Sequence, residues 1–395
     1  MKIAWWTALG ALIAVSVAPS LAAAQQAENP IVTHYRAYQS TFDAEDFATA
    51  ETEAAAALQA SMARDGDGGA TAVLAINLAK LRLVRSEIEL AYPPALQAFN
   101  IAQANAASGV DPLLARLVLG RAELSQARSS AGRPRLETAL HDAAARQDLH
   151  SEAYDAAADL AQFLYRQQDF SDAASSWASA QQFANSIAID QGFQAAEARI
   201  GEGASLIMHA TRAQYQERAN PTDTHLHVSA QPEYRRADQV LSEAEDLLSS
   251  VAHEHAQPGA LTVAERAFAN AMAWRQFLSA SLTSTNQAQV PVNDAPPAGA
   301  SSQPICPMRL ISEPAPNFPP GANAGFVSGA VVVRILVDAQ GNIIDRRVAA
   351  AVPGVWFQSA IESVLPQWRM ESEPVGPETC RIERAWYFPI QFLFP

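Results

Sequence analysis

The chain has 395 residues, room for two or three domains at about 100–200 residues each. Apolar residues make up 49% and charged residues 17%, which excludes a mostly disordered chain. Its 27 bases against 41 acids leave a net charge of −14, which excludes wrapping of nucleic acid or docking on anionic lipid through a basic face.

Of the bases only Lys2 and Lys80 are lysines; nearly every cation is an arginine, suited to fixed pairing with carboxylates rather than loose solvation.

The first segment, residues 1–24, has Lys2, an apolar run from Ile3 to Val17, then Pro19 and Ala22-Ala23-Ala24. It reads as a signal peptide cleaved after Ala24. The alternative is an uncleaved inner-membrane anchor, since about 20 apolar residues span a bilayer. Either way the rest of the chain is expected outside the cytoplasmic membrane.

Residues 25–285 are rich in Ala, Leu, Glu, Gln and Arg, without sustained β-branched alternation. They predict helix after helix. A small pattern recurs within them: Asp46-Phe47-Ala48-Thr49-Ala50, Asp169-Phe170-Ser171-Asp172-Ala173, and more weakly Tyr92 with Ala95, Phe99 and Ala102. An aromatic three residues before an alanine suits a helical hairpin, the ring filling the turn and the alanine letting two helices approach. The stretch Tyr154 to Phe183 in particular resembles the tetratricopeptide repeat. The alternative is an irregular helical bundle with the same alanine packing. Most of the net acidity lies here, and it would steer a partner carrying a basic segment.

Two constellations in this region carry a hint of chemistry. His225-Leu-His227 and His253-Glu-His255 place histidines one residue apart, which share a face on a strand but not on a helix. A metal site would need both pairs to converge, so exposed loop histidines are the preferred reading and a histidine-liganded metalloenzyme the remote one. Asp65-Gly66-Asp67-Gly68-Gly69 opens like a calcium loop, but Ile76 stands where the bidentate glutamate belongs. A turn between helices is expected there. With no nucleophile elbow, P-loop or dinucleotide fingerprint, nothing points to an enzyme or a cofactor.

Residues 286–304 change to Gln, Val, Pro, Ala, Gly and Ser and read as a linker. Residues 305–395 then hold both cysteines, Cys306 and Cys380. In an oxidising compartment these are expected to form a disulfide, the alternative being two buried free thiols. In Gly329-Ala-Val-Val-Val-Arg-Ile-Leu-Val-Asp338, the side chains of Val331, Val333, Ile335 and Val337 share one face, predicting a half-buried strand. Asp338-Ala-Gln-Gly-Asn342 turns the chain into a returning strand from Ile343 to Val348, with Asp345, Arg346 and Arg347 mostly outward. Trp356, Ala360, Ile361, Val364, Leu365 and Trp368 mark a helix lying across the sheet. Trp386, Phe388, Ile390, Phe392 and Phe394 mark a third strand. The predicted order is β-β-α-β, a three-stranded antiparallel sheet with one helix, so the whole chain is multidomain: an all-α helical-hairpin solenoid followed by a small α+β domain.

That carboxy-terminal order resembles the end domain of the TonB family of Gram-negative energy transducers over about Pro316 to Pro395. Asn317-Phe318-Pro319 stands at the family's aromatic-proline lead-in, residues 329–341 at its first hairpin, Trp368-Arg369-Met370 at the exit from its helix, and Phe388-Pro389-Ile390-Gln391-Phe392 at its last strand. The resemblance implies a periplasmic protein whose partner is an outer-membrane TonB-dependent transporter or another envelope protein. An extended peptide segment of that partner would add as a strand by the closing strand, near Phe318, Pro319, Tyr387, Phe388 and Gln391. The backbone would do the binding, and the alternating aromatics of that strand are expected to be core. The other reading of the same residues is a periplasmic scaffold or peptidoglycan-associated adaptor with no transport role.

Overall fold

In the computed structural model the described residues are 29–283, apart from 106–107, 126, 188–190, 220–229 and 255; then 308–312, 316–319, 328–372 apart from 339 and 341; and 385–392. Residues 1–24, expected as a signal peptide, residues 286–304, expected as a linker, and Cys306, Cys380, His225, His227 and His255 lie outside them. The molecule is mostly helical and ends in a three-stranded antiparallel sheet. It divides within one helix into two compact units, one running to Gln167 and taking in Ser179–Ile189, the other made of Gln168–Ala178 and the chain from Asp190.

The first unit is built from α1 (Pro30–Asp43), α2 (Phe47–Asp65), α3 (Gly69–Val84), α4 (Ile88–Ala104), α5 (Pro112–Ala122), α6 (Ser129–Ala143), α7 (His150–Arg166) and the end of α8 (Phe170–Ala184). Their starts are written in the sequence: Asp46 Oδ1 accepts from Thr49 N at 3.2 Å, and Asp111 Oδ1 accepts from Leu113 N at 2.7 Å with Pro112 in the first turn. The repeated aromatics Phe47 and Phe170 are the first residues of α2 and α8, and Tyr92 lies in the first turns of α4. Asp65 to Gly69 is the turn between α2 and α3, with Gly66 at φ 60° capping the first. The core is largely alanine: Ala50, Ala54 and Ala57 of α2, Ala72, Ala75 and Ala79 of α3, and Ala91, Ala95 and Ala98 of α4 are all buried. Side chains this short let helix axes approach closely.

The second unit joins α9 (Gln191–Ala219), α10 (Ala230–Glu254) and α11 (Val263–Thr283) to five strands: β1 (Met308–Ser312), β2 (Gly329–Val337), β3 (Ile343–Val352), β4 (Arg369–Ser372) and β5 (Ala385–Phe392), with α12 (Trp356–Val364) between β3 and β4. The sheet order is β3-β2-β5, antiparallel throughout. A separate two-stranded ribbon pairs β1 with β4; it was not expected, and it uses Trp368-Arg369-Met370 as the start of a strand rather than a bare exit from the helix.

One expectation is corrected. Strand β2 is buried along its whole length, on both faces, not half-buried. Val331, Val333, Ile335 and Val337 pack against Phe357, Ile361, Leu365 and Trp368 at α12. On the other face Ala330 and Val332 join Phe268, Ala269, Ala273 and Phe277 of α11, and Leu336 packs with Ala256. The physical reason lies in the residues of the other face: Ala330, Val332 and Leu336 are themselves apolar, so the run is apolar on both sides with Arg334 as its one interruption, and a near-continuous apolar run is the mark of a strand covered on both sides. At about 1.5–3 kcal/mol per fully buried large aliphatic side chain, the second face is a substantial part of what holds the sheet.

Close approach at the start of β2 depends on a missing side chain. A Cβ at Gly329 would sit 2.3 Å from Phe357 Cε2. Gly329→Ala is therefore expected to push the Phe357 ring or the strand aside and cost about 1–3 kcal/mol, read as a lower urea midpoint at unchanged slope. A midpoint equal to that of the parent chain would contradict this packing.

Candidate functional site

The residues singled out around the closing strand fall on two faces of β5. Trp386, Phe388 and Ile390 pack toward α12 together with Phe392, and Phe318 joins them, its ring 6.0 Å from that of Phe357 and 6.3 Å from that of Phe392. Phe388 lies nearly parallel to Trp386 at 6.5 Å. Pro319 is buried beside this cluster's Phe318 in sequence. Phe392 is buried in this cluster, and Phe318, Trp386, Phe388 and Ile390 are half-buried against it.

Tyr387 and Gln391 point the other way, into the helical layer. Tyr387 Oη donates to the Ala252 carbonyl at 3.2 Å and lies 3.4 Å from Glu265 Oε1, and its ring stands edge-on to His253 at 5.2 Å and to Phe268 at 5.0 Å. Gln391 Nε2 donates to the Gln276 carbonyl at 3.0 Å. Burial, followed by the Glu265 charge, raises the Tyr387 phenol well above its ordinary value. Both side chains are engaged inside the unit.

Among the described residues the backbone of β5 is paired on one side. β5 pairs with β2 through an unbroken register from Gly329↔Phe392 to Leu336↔Ala385, and among the described residues no strand pairs with its outer edge. The opposite edge, β3, is irregular, with register shifts between Val332 and Val333 and between Leu336 and Val337. Bulges of this kind twist an edge away from further pairing.

Beneath this edge sits a charged centre that the sequence reading did not single out. Arg334, in the middle of β2, has no exposed surface, and neither has Glu265 in the first turn of α11. Arg334 Nη1 donates to Glu265 Oε1 at 2.6 Å and to the Gln257 carbonyl at 3.2 Å; Nη2 donates to Asp345 Oδ2 at 2.6 Å and to the Gly259 carbonyl at 3.2 Å. Glu265 is at the same time half of a capping box: its Oε2 accepts from Thr262 N at 2.7 Å while its own N–H donates to Thr262 Oγ1 at 3.1 Å. Asp345, expected outward, is turned in, with 15% of its side chain exposed. Burial opposes its charge, but hydrogen bonds from Arg347 and from Gly259 N–H, with the charges of Arg347 and Arg334, hold its carboxyl below the usual carboxylate range. The signal available was a single arginine inside an apolar run, a position where a cation must find buried partners.

His253, one of the four histidines considered as ligands, is on α10 with Nδ1 donating to the Ser249 carbonyl at 2.7 Å and its ring against Phe268. Among the described residues no group of three or more His, Cys, Asp or Glu is placed to hold a metal, and no helix is long and apolar enough to cross a membrane.

No protein family matches the chain, and no curated protein matches it. Among solved structures, BtubC (BKLC) from P. vanneervenii is similar at 14% identity over 60% of this chain and 96% of its own, with a TM-score of 0.40. Nro1, titled a hypoxic regulator of sterol synthesis and nuclear import adaptor, is similar at 11% identity over 67% of this chain and 91% of its own, with a TM-score of 0.34. At these scores neither likeness bears on function.

Two expectations follow from the charges. Arg334→Met leaves Glu265 buried without its cation and should lower stability by about 3–5 kcal/mol, with part of the loss recovered when Glu265→Gln is added; a single variant within 1 kcal/mol of the parent in urea unfolding would contradict the network, on the same scale. The second concerns acids that share one arginine. Asp155, paired with Arg121, is raised by burial to about 6, and Glu245, paired with Arg275, is raised by burial to about 7. The folded chain holds these protons more tightly than the unfolded one, so each carboxyl destabilises the fold above its folded pKa and ceases to do so as pH falls toward its ordinary value. Asp155→Asn and Glu245→Gln should each gain up to roughly 2 kcal/mol at pH 8 and little at pH 4.5. Denaturation at the two pH values reads this, and a gain independent of pH would contradict the assignment.

Proposed function

We propose that this chain is an exported, non-catalytic envelope protein that binds partner proteins, and that its carboxy-terminal sheet takes up an extended segment of a partner along the outer edge of β5. One observation carries the reading: both faces of the sheet are covered by helices, while β5 is paired on one side only among the described residues. A covered sheet offers a partner its edge, and an edge binds through main-chain donors and acceptors with little demand on side chains. The TonB-like segments from Phe318-Pro319 to the closing strand support an outer-membrane transporter as that partner and the periplasm as the location. The helical pairs upstream, with their tetratricopeptide-like aromatic and alanine pattern, form a second binding region, and its acidity favours a basic segment.

The test uses the full chain in its native envelope. A proline nitrogen has nothing to donate, so Pro389 must turn its nitrogen away from β2 for the Val332↔Pro389 pairing to hold. Tyr387 and Gln391, two residues to either side, then turn their N–H groups outward as well. Gln391→Pro removes one outward donor and leaves the ladder to β2 intact, whereas Gln391→Ala removes only the side-chain bond to Gln276. Copurification of a transporter, or of another envelope protein, should fall about tenfold or more in Gln391→Pro, the equivalent of one lost hydrogen bond, and persist in Gln391→Ala. Equal recovery with both variants would rule out strand addition at β5.

A further inference from the structure

The same edge raises the question of why it does not capture a second copy of this chain. A strand edge with no partner among the described residues and eight residues in regular register against its neighbour is a template for any extended segment, its own twin included. We infer that Pro389 is the residue that reserves the β5 edge for a foreign strand by closing it to self-pairing.

The geometry of the ladder carries this. In an antiparallel pair, residues alternate between exchanging hydrogen bonds with the neighbour and turning both main-chain groups away from it. Proline cannot donate, so Pro389, opposite Val332, belongs to the second kind: its nitrogen faces outward, at the centre of the free edge. The outward donors are therefore the N–H groups of Ala385, Tyr387 and Gln391, with a gap between the last two. Pro389 is also the exposed residue of β5, while its neighbours on either side are half-buried or buried. The ring is not needed to fill a core.

That gap weighs unequally on the two classes of partner. Two copies meeting edge to edge about a two-fold axis overlap equally when the axis passes through residue 388 or residue 389. With the axis at 389, Tyr387 of each copy meets Gln391 of the other, the two prolines face each other where residues would exchange hydrogen bonds, and both of those bonds are missing. With the axis at 388, each Pro389 faces Tyr387 of the other copy, and again two bonds are missing. A foreign strand meets a single proline and leaves a single carbonyl to water at an exposed position, keeping the bonds to Tyr387 and Gln391. The bulged β3 edge is protected by its irregular register. The regular β5 edge needs a different device, and the proline supplies it.

This inference rests on the β5 edge proposed above as the partner site, but its test needs no partner. The full mature chain, its Pro389→Val variant and the Pro389→Val/Gln391→Pro double variant are compared by sedimentation or light scattering over a range of concentrations. Valine restores the missing donor with a side chain that favours strands. The expected result is that Pro389→Val self-associates at a concentration at least about tenfold below the parent chain, one hydrogen bond's worth or more, and that the double variant, with its edge blocked again, returns to the parent's behaviour. Pro389→Ala is measured alongside, with circular dichroism as the check on folding. A Pro389→Val chain as monomeric as the parent would overturn the inference. So would a parent that already pairs through β5, seen as a dimer that dissociates in Gln391→Pro. Failure of both single variants to fold would overturn it too, because position 389 would then need the ring and not the missing donor. Self-association of Pro389→Val together with unimpaired partner capture by Gln391→Pro would remove the partner reading while leaving this one standing.

Discussion

A guanidinium with no access to water holds the carboxy-terminal unit together. Arg334 sits at the middle of the central strand, and its two terminal nitrogens reach an acid at the start of α11, an acid on β3 and two carbonyls of the segment between α10 and α11. The contacts to Glu265 and to the two carbonyls are unavailable to an isolated sheet. A buried arginine without them would be prohibitively costly, so the strand is committed to its helical cover by electrostatics as well as by apolar area. Glu265 shows the economy of the arrangement: one oxygen finishes the capping box of α11 and the other takes the arginine, so helix start and strand centre are fixed by the same carboxylate.

From this commitment the accessible surface of the sheet follows. α12 and its neighbours cover one face and the helical layer covers the other, which leaves the edges as the places where the sheet's main-chain groups are unpaired among the described residues. β3 is irregular and β5 regular, so the two edges are not equivalent. Tyr387 and Gln391 tie β5 to α10 and α11 from beneath, holding the edge in one position without spending its outward donors. The same economy of cations runs through the chain: Arg121 takes Asp155 and Asp159, Arg146 takes Asp111 and Asp148, and Arg275 takes Asp238 and Glu245. A planar fork can serve two acceptors at once where an ammonium acts as a point charge, which accounts for an acidic protein with two lysines.

Much of this was legible in residue order. Phe47 and Phe170 mark helix starts, each following an aspartate and standing three residues before an alanine, and the alternation of Trp386, Phe388, Ile390 and Phe392 identifies the strand face that packs toward α12. The two-sided burial of β2 was written in Ala330, Val332 and Leu336 between the valines, but the even spacing of the valines drew the reading toward one face. The Arg334–Glu265 pair was not legible, because its members lie 69 residues apart and no local pattern states which buried acid a buried arginine will find. For the same reason Asp345 reads as a surface residue in sequence and is an inward one in the fold. The helical cover over the side chains of Tyr387 and Gln391 was not legible either, since strand alternation alone does not tell which face of a strand a distant helix will cover.

Hydrogen exchange followed by mass spectrometry, in increasing urea, tests the central role of Arg334 most directly, because it reports the opening free energy of each segment separately. In the parent chain the peptides covering β2 and the first turn of α11 should open with one common free energy, and in Arg334→Met that common value should fall for both. If the start of α11 opens at low free energy while β2 keeps full protection, the strand does not depend on the helix, and the buried arginine does not hold the unit together.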